Sequence, residues 1–155
     1  MAPALDVCIR GAGIVGRTLA LLLARERLRV GLVDLSPAPG GDQRDIRAYA
    51  LNSASRELLE MVRSWPDPAD ATPVLEMQVH GDQGGEVRFS AADQGVASLA
   101  WIVDVAALQD RLREALRYQP LVEPLQAPRP ATLTVVCEGR ASATRAEFGV
   151  QFEVT

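Results

Sequence analysis

Gly11-Ala12-Gly13-Ile14-Val15-Gly16 sets three glycines at the spacing G-x-G-x-x-G. That spacing lets a chain turn tightly, lets its backbone approach a pyrophosphate, and lets a helix pack closely on a strand. An apolar run, Leu5-Asp6-Val7-Cys8-Ile9, precedes the glycines, and an Ala/Leu-rich stretch predicted as a helix from about Ile14 to Arg27 follows them. The first N–H groups of such a helix lack intrahelical partners and face an anion. Asp34 comes 18 residues after Gly16, at the end of a second apolar run that starts at Val30. A carboxylate about 20 residues beyond the glycines suits a ribose hydroxyl and disfavours a ribose phosphate. Gly11, Gly13, Ile14, Val15 and Gly16 therefore read as a pyrophosphate cradle, and Asp34, with Leu35 beside it, as the ribose end. The fingerprint leaves FAD and a nicotinamide nucleotide both open.

Other chemistry is thin. His80, the single histidine, has no Ser, Cys or carboxylate partner by spacing and reads as a surface or structural residue. Cys8 and Cys137 lie in apolar, strand-like runs and read as buried, reduced thiols. Two cysteines and one histidine make no metal site. Met61, Met77, Trp65 and Trp101 read as packing residues. No catalytic residue is assigned.

The elements that must position these residues follow from periodicity. Strand, helix and strand over the first thirty-five residues imply a right-handed crossover between parallel strands, with helices on both faces of the sheet. Ser36 to Asp42 is dense in Pro and Gly and forms a loop. A second helix begins at the N-cap Asn52 and runs to Trp65, where Pro66 and Pro68 stop it. Val74 to Val79 and Glu86 to Phe89 flank a glycine-rich connection and form an antiparallel hairpin added to the parallel unit. A short strand at Ala100 to Val103 leads into a third helix, Val105 to Tyr118, with Ala106, Leu108, Leu112 and Leu116 on or near one face. Pro120 to Pro130 reads as extended and irregular, and Ala131 to Cys137 as a fully buried strand. The alternation Phe148, Val150, Phe152, Val154 suggests the start of another strand.

The chain has 155 residues, 48% hydrophobic and 23% charged, with 20 acidic and 16 basic side chains for a net charge of −4. That describes one ordinary domain with one core. No basic cluster marks a nucleic-acid surface, so nucleic acid is not an expected partner. The longest strongly apolar run, Thr18 to Ala24, is far short of the roughly 20 residues of a membrane span. No secretory signal pattern is read at the N-terminus, which points to the cytoplasm.

Two further segments, Asp45-Ile46-Arg47-Ala48-Tyr49-Ala50-Leu51-Asn52 and Glu138-Gly139-Arg140-Ala141-Ser142-Ala143-Thr144-Arg145, complete a pattern with the glycine fingerprint. With them the chain resembles the N-terminal part of the flavin-dependent aromatic-ring hydroxylases, most closely the ubiquinone-biosynthesis (UbiH-like) branch, from Leu5 to about Gly149. The resemblance implies a three-layer α/β fold of the glutathione-reductase-like, Rossmann-type FAD/NAD(P)-binding class, with a parallel sheet and an added antiparallel hairpin. It implies FAD as cofactor, NAD(P)H as electron donor and dioxygen as co-substrate, and a polyprenylated phenol as the aromatic substrate. It places Arg47 at the FAD ribose and phosphates, Gln109 near the pyrophosphate, and Glu138-Gly139 with Ser142 and Arg145 at the motif that handles FAD and the nicotinamide donor indirectly.

Two residues depart from the family pattern. Glu138 stands where the family has Asp, and Arg10 stands where the strand before the glycines is usually apolar. Three readings of Arg10 stay open: a side chain snorkelling toward phosphate, one snorkelling toward solvent, or a mark of weakened binding. The family's later Gly-Asp flavin motif, substrate sheet and C-terminal helix find no match up to Thr155, so residues 1–155 read as a single, truncated FAD-binding domain. Two other classes remain as alternatives: a non-catalytic flavoprotein module that binds partners, and an NAD(P)-dependent reductase. A polyprenylated substrate would also admit peripheral membrane contact or contact within a biosynthetic complex.

Overall fold

The computed structural model describes residues 4–34, 46–139, 142 and 144–150. The chain divides into two compact units, one formed by Met1–Gln43 with Leu112–Thr155 and the other by Arg44–Arg111.

The first unit is built on a four-stranded parallel sheet. Its strands are β1 (Leu5–Arg10), β2 (Val30–Val33), β8 (Val122–Leu125) and β9 (Ala131–Val136), in the order β8-β2-β1-β9. The helix α1 (Ile14–Arg25) makes the crossover from β1 to β2. Val7, Ile9, Val30 and Leu32 form a buried cluster on the sheet, against which Leu19 and Leu23 of α1 and Leu116 pack. Fully burying each such side chain contributes about 1.5–3 kcal/mol. Cys8, Val33, Leu5 and Leu125 form a second cluster.

Helix α1 stops two residues before the predicted end, and its last turn shows why. Arg27 is left-handed (φ 66°), its N–H donates to the Ala24 carbonyl, and the N–H of Leu28 reaches back to Leu23. This is a Schellman ending with Arg at the position glycine usually takes, so no glycine marks it in the sequence. The helix α2 (Ser53–Met61) ends the same way. Arg63 is left-handed (φ 57°) and the Ser64 N–H donates to the Leu59 carbonyl, so the helix closes before Trp65 and its prolines. Its predicted N-cap holds, with Asn52 Oδ1 accepting from the Ser55 N–H at 2.9 Å.

Two other expectations are corrected. The proline-rich stretch after Tyr118 contains β8, which pairs in parallel with β2 and sets Pro124 beside Leu32. Proline is tolerated there because β8 is an edge strand and needs no donor on its outer side. Among the described residues the strand β9 is also an edge, and Thr132, Leu133 and Thr134 are exposed, so it is not fully buried.

The second unit holds β3 (Ala48–Leu51), β7 (Ala100–Asp104) and β4 (Ala71–Val74) as an antiparallel sheet in the order β3-β7-β4. The predicted hairpin is present as β5 (Glu76–His80) and β6 (Glu86–Ser90), a two-stranded sheet of its own. Trp65 meets Trp101 edge-on at 5.9 Å, and the Arg56 guanidinium lies 4.7 Å from the Trp101 ring centre. The helix α3 (Val105–Arg117) buries Leu108 and Leu112 of its predicted apolar face, with Ala106 and Leu116 half-buried and Val105 buried as well, and Asp104 Oδ1 caps it by accepting from the Ala107 N–H. A short helix, α4 (Thr144–Glu147), follows β9 in the first unit. Among the described residues no helix is long and apolar enough to cross a membrane.

Candidate dinucleotide-binding site

The carboxyl ends of three parallel strands lie side by side, with Val33 of β2 and Val136 of β9 flanking Arg10 of β1. The chain leaves β1 toward β2 and later returns to place β9 on the opposite side of β1. In open parallel sheets, ligands bind outside the carboxyl ends at such a reversal of strand order.

The three glycines of the fingerprint stand at this edge for three separate reasons. Gly11 has φ +111°, and a Cβ there would lie 2.5 Å from the Cys137 carbonyl oxygen. Its N–H donates to the Val33 carbonyl at 3.0 Å, while the Cys137 N–H donates to the Arg10 carbonyl at 2.7 Å, so the turn is tied to both neighbouring strands. A Cβ on Gly16 would lie 1.9 Å from the Gly11 carbonyl oxygen, which fixes the close approach of α1 to the turn. Gly13 is different: a Cβ there meets nothing within 4 Å. It is the N-cap of α1 and supplies no side-chain hydrogen bond to the helix. The open side of Gly13, at a helix start with Ile14, Val15 and Gly16 as its first residues, fits a bound pyrophosphate. Val15 is 69% exposed there.

Asp34 follows β2 directly, and its N–H donates to the Leu125 carbonyl. Its carboxylate lies 3.5 Å from Nη2 of Arg17, on the second turn of α1. Sequence reasoning missed Arg17, although its place next to Gly16 was a usable signal. Leu35 lies outside the described residues.

Glu138 is a heavily engaged carboxylate of the site. The Thr144 hydroxyl donates to Oε1 at 2.6 Å, the Ser142 hydroxyl donates to Oε2 at 2.7 Å, and Arg10 Nε is 3.5 Å from Oε1. The two hydroxyls and the nearby Arg10 charge hold its pKa below the usual carboxylate range, against the opposing effect of burial. Gly139 has φ +73°, which favours glycine, and leaves open space on its Cβ side. Arg145 Nε donates to the Ser142 carbonyl. Burial pushes the thiol of Cys137 up, and Cys8 and Cys137 are both free.

Thus Gly11 to Gly16, Asp34 and Glu138-Gly139 belong to one sheet edge of the first unit. Arg47 and Gln109 belong to the second unit. Arg47 is exposed, accepts the Val105 N–H on its carbonyl, and has its guanidinium 6.0 Å from the Tyr49 ring centre. Gln109 is half-buried on α3.

Several sequence readings change. Arg10 turns neither to solvent nor to an open phosphate position; its side chain is only 16% exposed and pairs with Glu138 and, through Nη1, with Glu147 at 2.9 Å. His80 does face a carboxylate, Glu86 across the hairpin at 4.0 Å, but it stays exposed. Met77 is exposed on the hairpin, not packed, and Met61 is likewise exposed.

No family model and no curated protein matches the sequence. Solved structures do. The p-nitrophenol 4-monooxygenase PnpA of Pseudomonas putida DLL-E4 superposes with a TM-score of 0.70 at 17% identity over 100% of this chain and 46% of its own. PqsL of Pseudomonas aeruginosa, described as a probable FAD-dependent monooxygenase, gives 0.70 at 22% identity over 97% of this chain and 47% of its own. PqsL has also been solved with 2-aminobenzoylacetate. The flavin-dependent monooxygenase PieE, solved with FAD and substrate, gives 0.53 at 20% identity over 87% of this chain and 24% of its own. The chain thus spans about half the length of PnpA and PqsL. At these identities the likeness is one of fold: the chain has the α/β, Rossmann-like architecture found in flavin-dependent monooxygenases.

Proposed function

We propose that this chain is the FAD-binding portion of a flavin-dependent monooxygenase that hydroxylates an aromatic ring. The observation that carries the reading is the open, uncapped Gly13 at the start of α1, at the β1/β9 strand reversal, in a fold shared with flavin-dependent monooxygenases. PnpA is named for an aromatic substrate and PqsL was solved with an aromatic compound, which supports an aromatic acceptor. The UbiH-like pattern of the sequence favours a polyprenylated phenol, NAD(P)H as donor and a cytoplasmic or peripheral membrane setting.

FAD, when bound, supplies the activation of dioxygen and the redox chemistry. The chain's own residues bind and orient it. Gly11, Gly13 and Gly16 keep side chains away from the pyrophosphate, while the N–H groups of Ile14, Val15 and Gly16 face it. Asp34, held by Arg17, accepts from a ribose hydroxyl, with Leu35 next to it. Glu138 and Gly139 shape the opposite lip. Arg47 and Gln109 are proposed at the ribose-phosphate edge, and FAD affinities of Arg47→Ala and Gln109→Ala test each separately.

The purified chain is titrated with FAD and with NADH, following flavin fluorescence and thermal stability. Saturable FAD binding that raises the melting temperature is expected, because a ligand of the folded state stabilises it. Asp34→Ala is expected to weaken FAD about tenfold, as loss of a charge-assisted hydrogen bond would. No FAD binding by the wild type overturns the reading.

A second reading, a non-catalytic interaction module, is favoured by the hairpin. Met77 opposite Phe89 and Val79 opposite Val87 leave an apolar face whose side chains are each 43–54% exposed. Concentration-dependent self-association without flavin binding would select it.

A further inference from the structure

The two residues that depart from the flavoprotein pattern meet each other. Arg10 is the last residue of β1 and directly precedes Gly11, while Glu138 follows β9 and directly precedes Gly139. Their side chains meet across the neighbouring carboxyl ends of β1 and β9, Arg10 Nε lying 3.5 Å from Glu138 Oε1, with 16% and 15% of the two side chains exposed. This is the place where strand order reverses, so the pair spans the crevice in which the site lies.

We propose that Arg10 and Glu138 are positioning residues: their ion pair holds the Gly11–Gly16 turn and the Glu138–Gly139 loop at the one spacing that accepts the pyrophosphate of a dinucleotide. The inference rests on the flavin-binding reading above. Three observations support it. The backbone beside the pair is already in tight contact, with the Cys137 N–H on the Arg10 carbonyl and no room for a Cβ between Gly11 and Cys137. A shift of either loop is therefore transmitted to the glycine turn. Next, Glu138 holds two residues that follow it in the chain, since Ser142 and Thr144 both donate hydroxyl hydrogens to it and the Thr144 N–H lies 3.4 Å from Oε2. Finally, the other end of the Arg10 guanidinium reaches Glu147, so the same cation also ties down α4. The extra methylene of Glu relative to Asp supplies the reach toward a cation on β1. A shorter Asp at 138 would pull the carboxylate back by about 1.5 Å, one C–C bond length.

The test uses the full chain and four proteins: wild type, Arg10→Val, Glu138→Asp and the double variant Arg10→Val/Glu138→Asp, which restores the pattern of the resembling family. Hydrogen exchange without ligand reports the loops directly. Each single variant is expected to speed exchange at the amides of residues 11–16, 137–139 and 142. FAD affinity is measured in parallel. Each single variant is expected to lose about tenfold, and the double to lose no more than either single, because contacting residues couple non-additively. Unchanged exchange in the singles overturns the clamp. Faster exchange with unchanged FAD affinity, or losses that multiply in the double, overturns the positioning role. Wild type that binds no FAD overturns the flavin reading and with it the pyrophosphate role, whereas the exchange data still decide whether the pair joins the two loops.

Discussion

A methyl group at Gly16 would sit 1.9 Å from the Gly11 carbonyl oxygen, while one at Gly13 would meet no atom within 4 Å. The same substitution therefore separates packing from binding. Gly16→Ala is expected to destabilise the fold by about 1–3 kcal/mol, the usual cost of overpacking a tight contact. Gly13→Ala removes a capping glycine and is expected to cost no more than about 1 kcal/mol, yet to abolish tight FAD binding by filling the open side of the turn. Denaturant unfolding and flavin titration on the two variants check this, and a Gly13→Ala protein that binds FAD normally would move the pyrophosphate elsewhere. Glu138 adds a pH dependence at this scale. Its pKa is lower in the folded chain than in the unfolded one, so its contribution to stability is complete above the ordinary carboxylate range and fades as pH falls through the lowered folded value. Glu138→Gln is expected to be less stable than wild type near neutrality, with the gap closing on acidification; a gap that stays constant with pH would show that the charge of Glu138 does not matter. The fingerprint and Asp34 were legible because each has a fixed spacing. The Arg10–Glu138 pair was not, since the two lie far apart in the chain and meet only because β9 lies beside β1.

Elements were legible where periodicity and a cap agree. Asn52 accepts from the Ser55 N–H and opens α2, so Asn52→Ala is expected to cost about 1 kcal/mol in thermal or urea unfolding, with no change in FAD affinity. The ends of α1 and α2 were not legible, because each closes on a left-handed arginine, Arg27 or Arg63, where sequence reasoning looks for glycine or proline. The strand β8 was hidden by Pro124, whose meaning changes once the strand is known to lie at a sheet edge. The composition of Ala131 to Cys137 suggests a fully buried strand; the position of β9 at the opposite edge leaves Thr132, Leu133 and Thr134 exposed. Apolar content marked β9 as strand-forming but not β8, and neither strand's place at an edge was legible, because neighbour order is a property of the folded sheet.

For the molecule taken together, the division into two compact units gives the proposed FAD binding a regional signature. The cradle glycines, Asp34 and Glu138 all belong to the unit built on β8-β2-β1-β9. The hairpin β5–β6 belongs to the other unit and carries no proposed ligand residue. A ligand present at about 100 times its Kd stabilises the state that binds it by about 2.7 kcal/mol. Amides of β1, β2 and the start of α1 are accordingly expected to exchange more slowly with saturating FAD, by about a factor of 100 where exchange follows opening of the site. The β5–β6 amides are expected to change much less, because a two-stranded sheet can open locally at lower cost. Hydrogen exchange with and without FAD reads both regions in one experiment. Protection confined to β5–β6 would contradict the assignment of the cradle to the glycine turn, even in a chain that binds flavin.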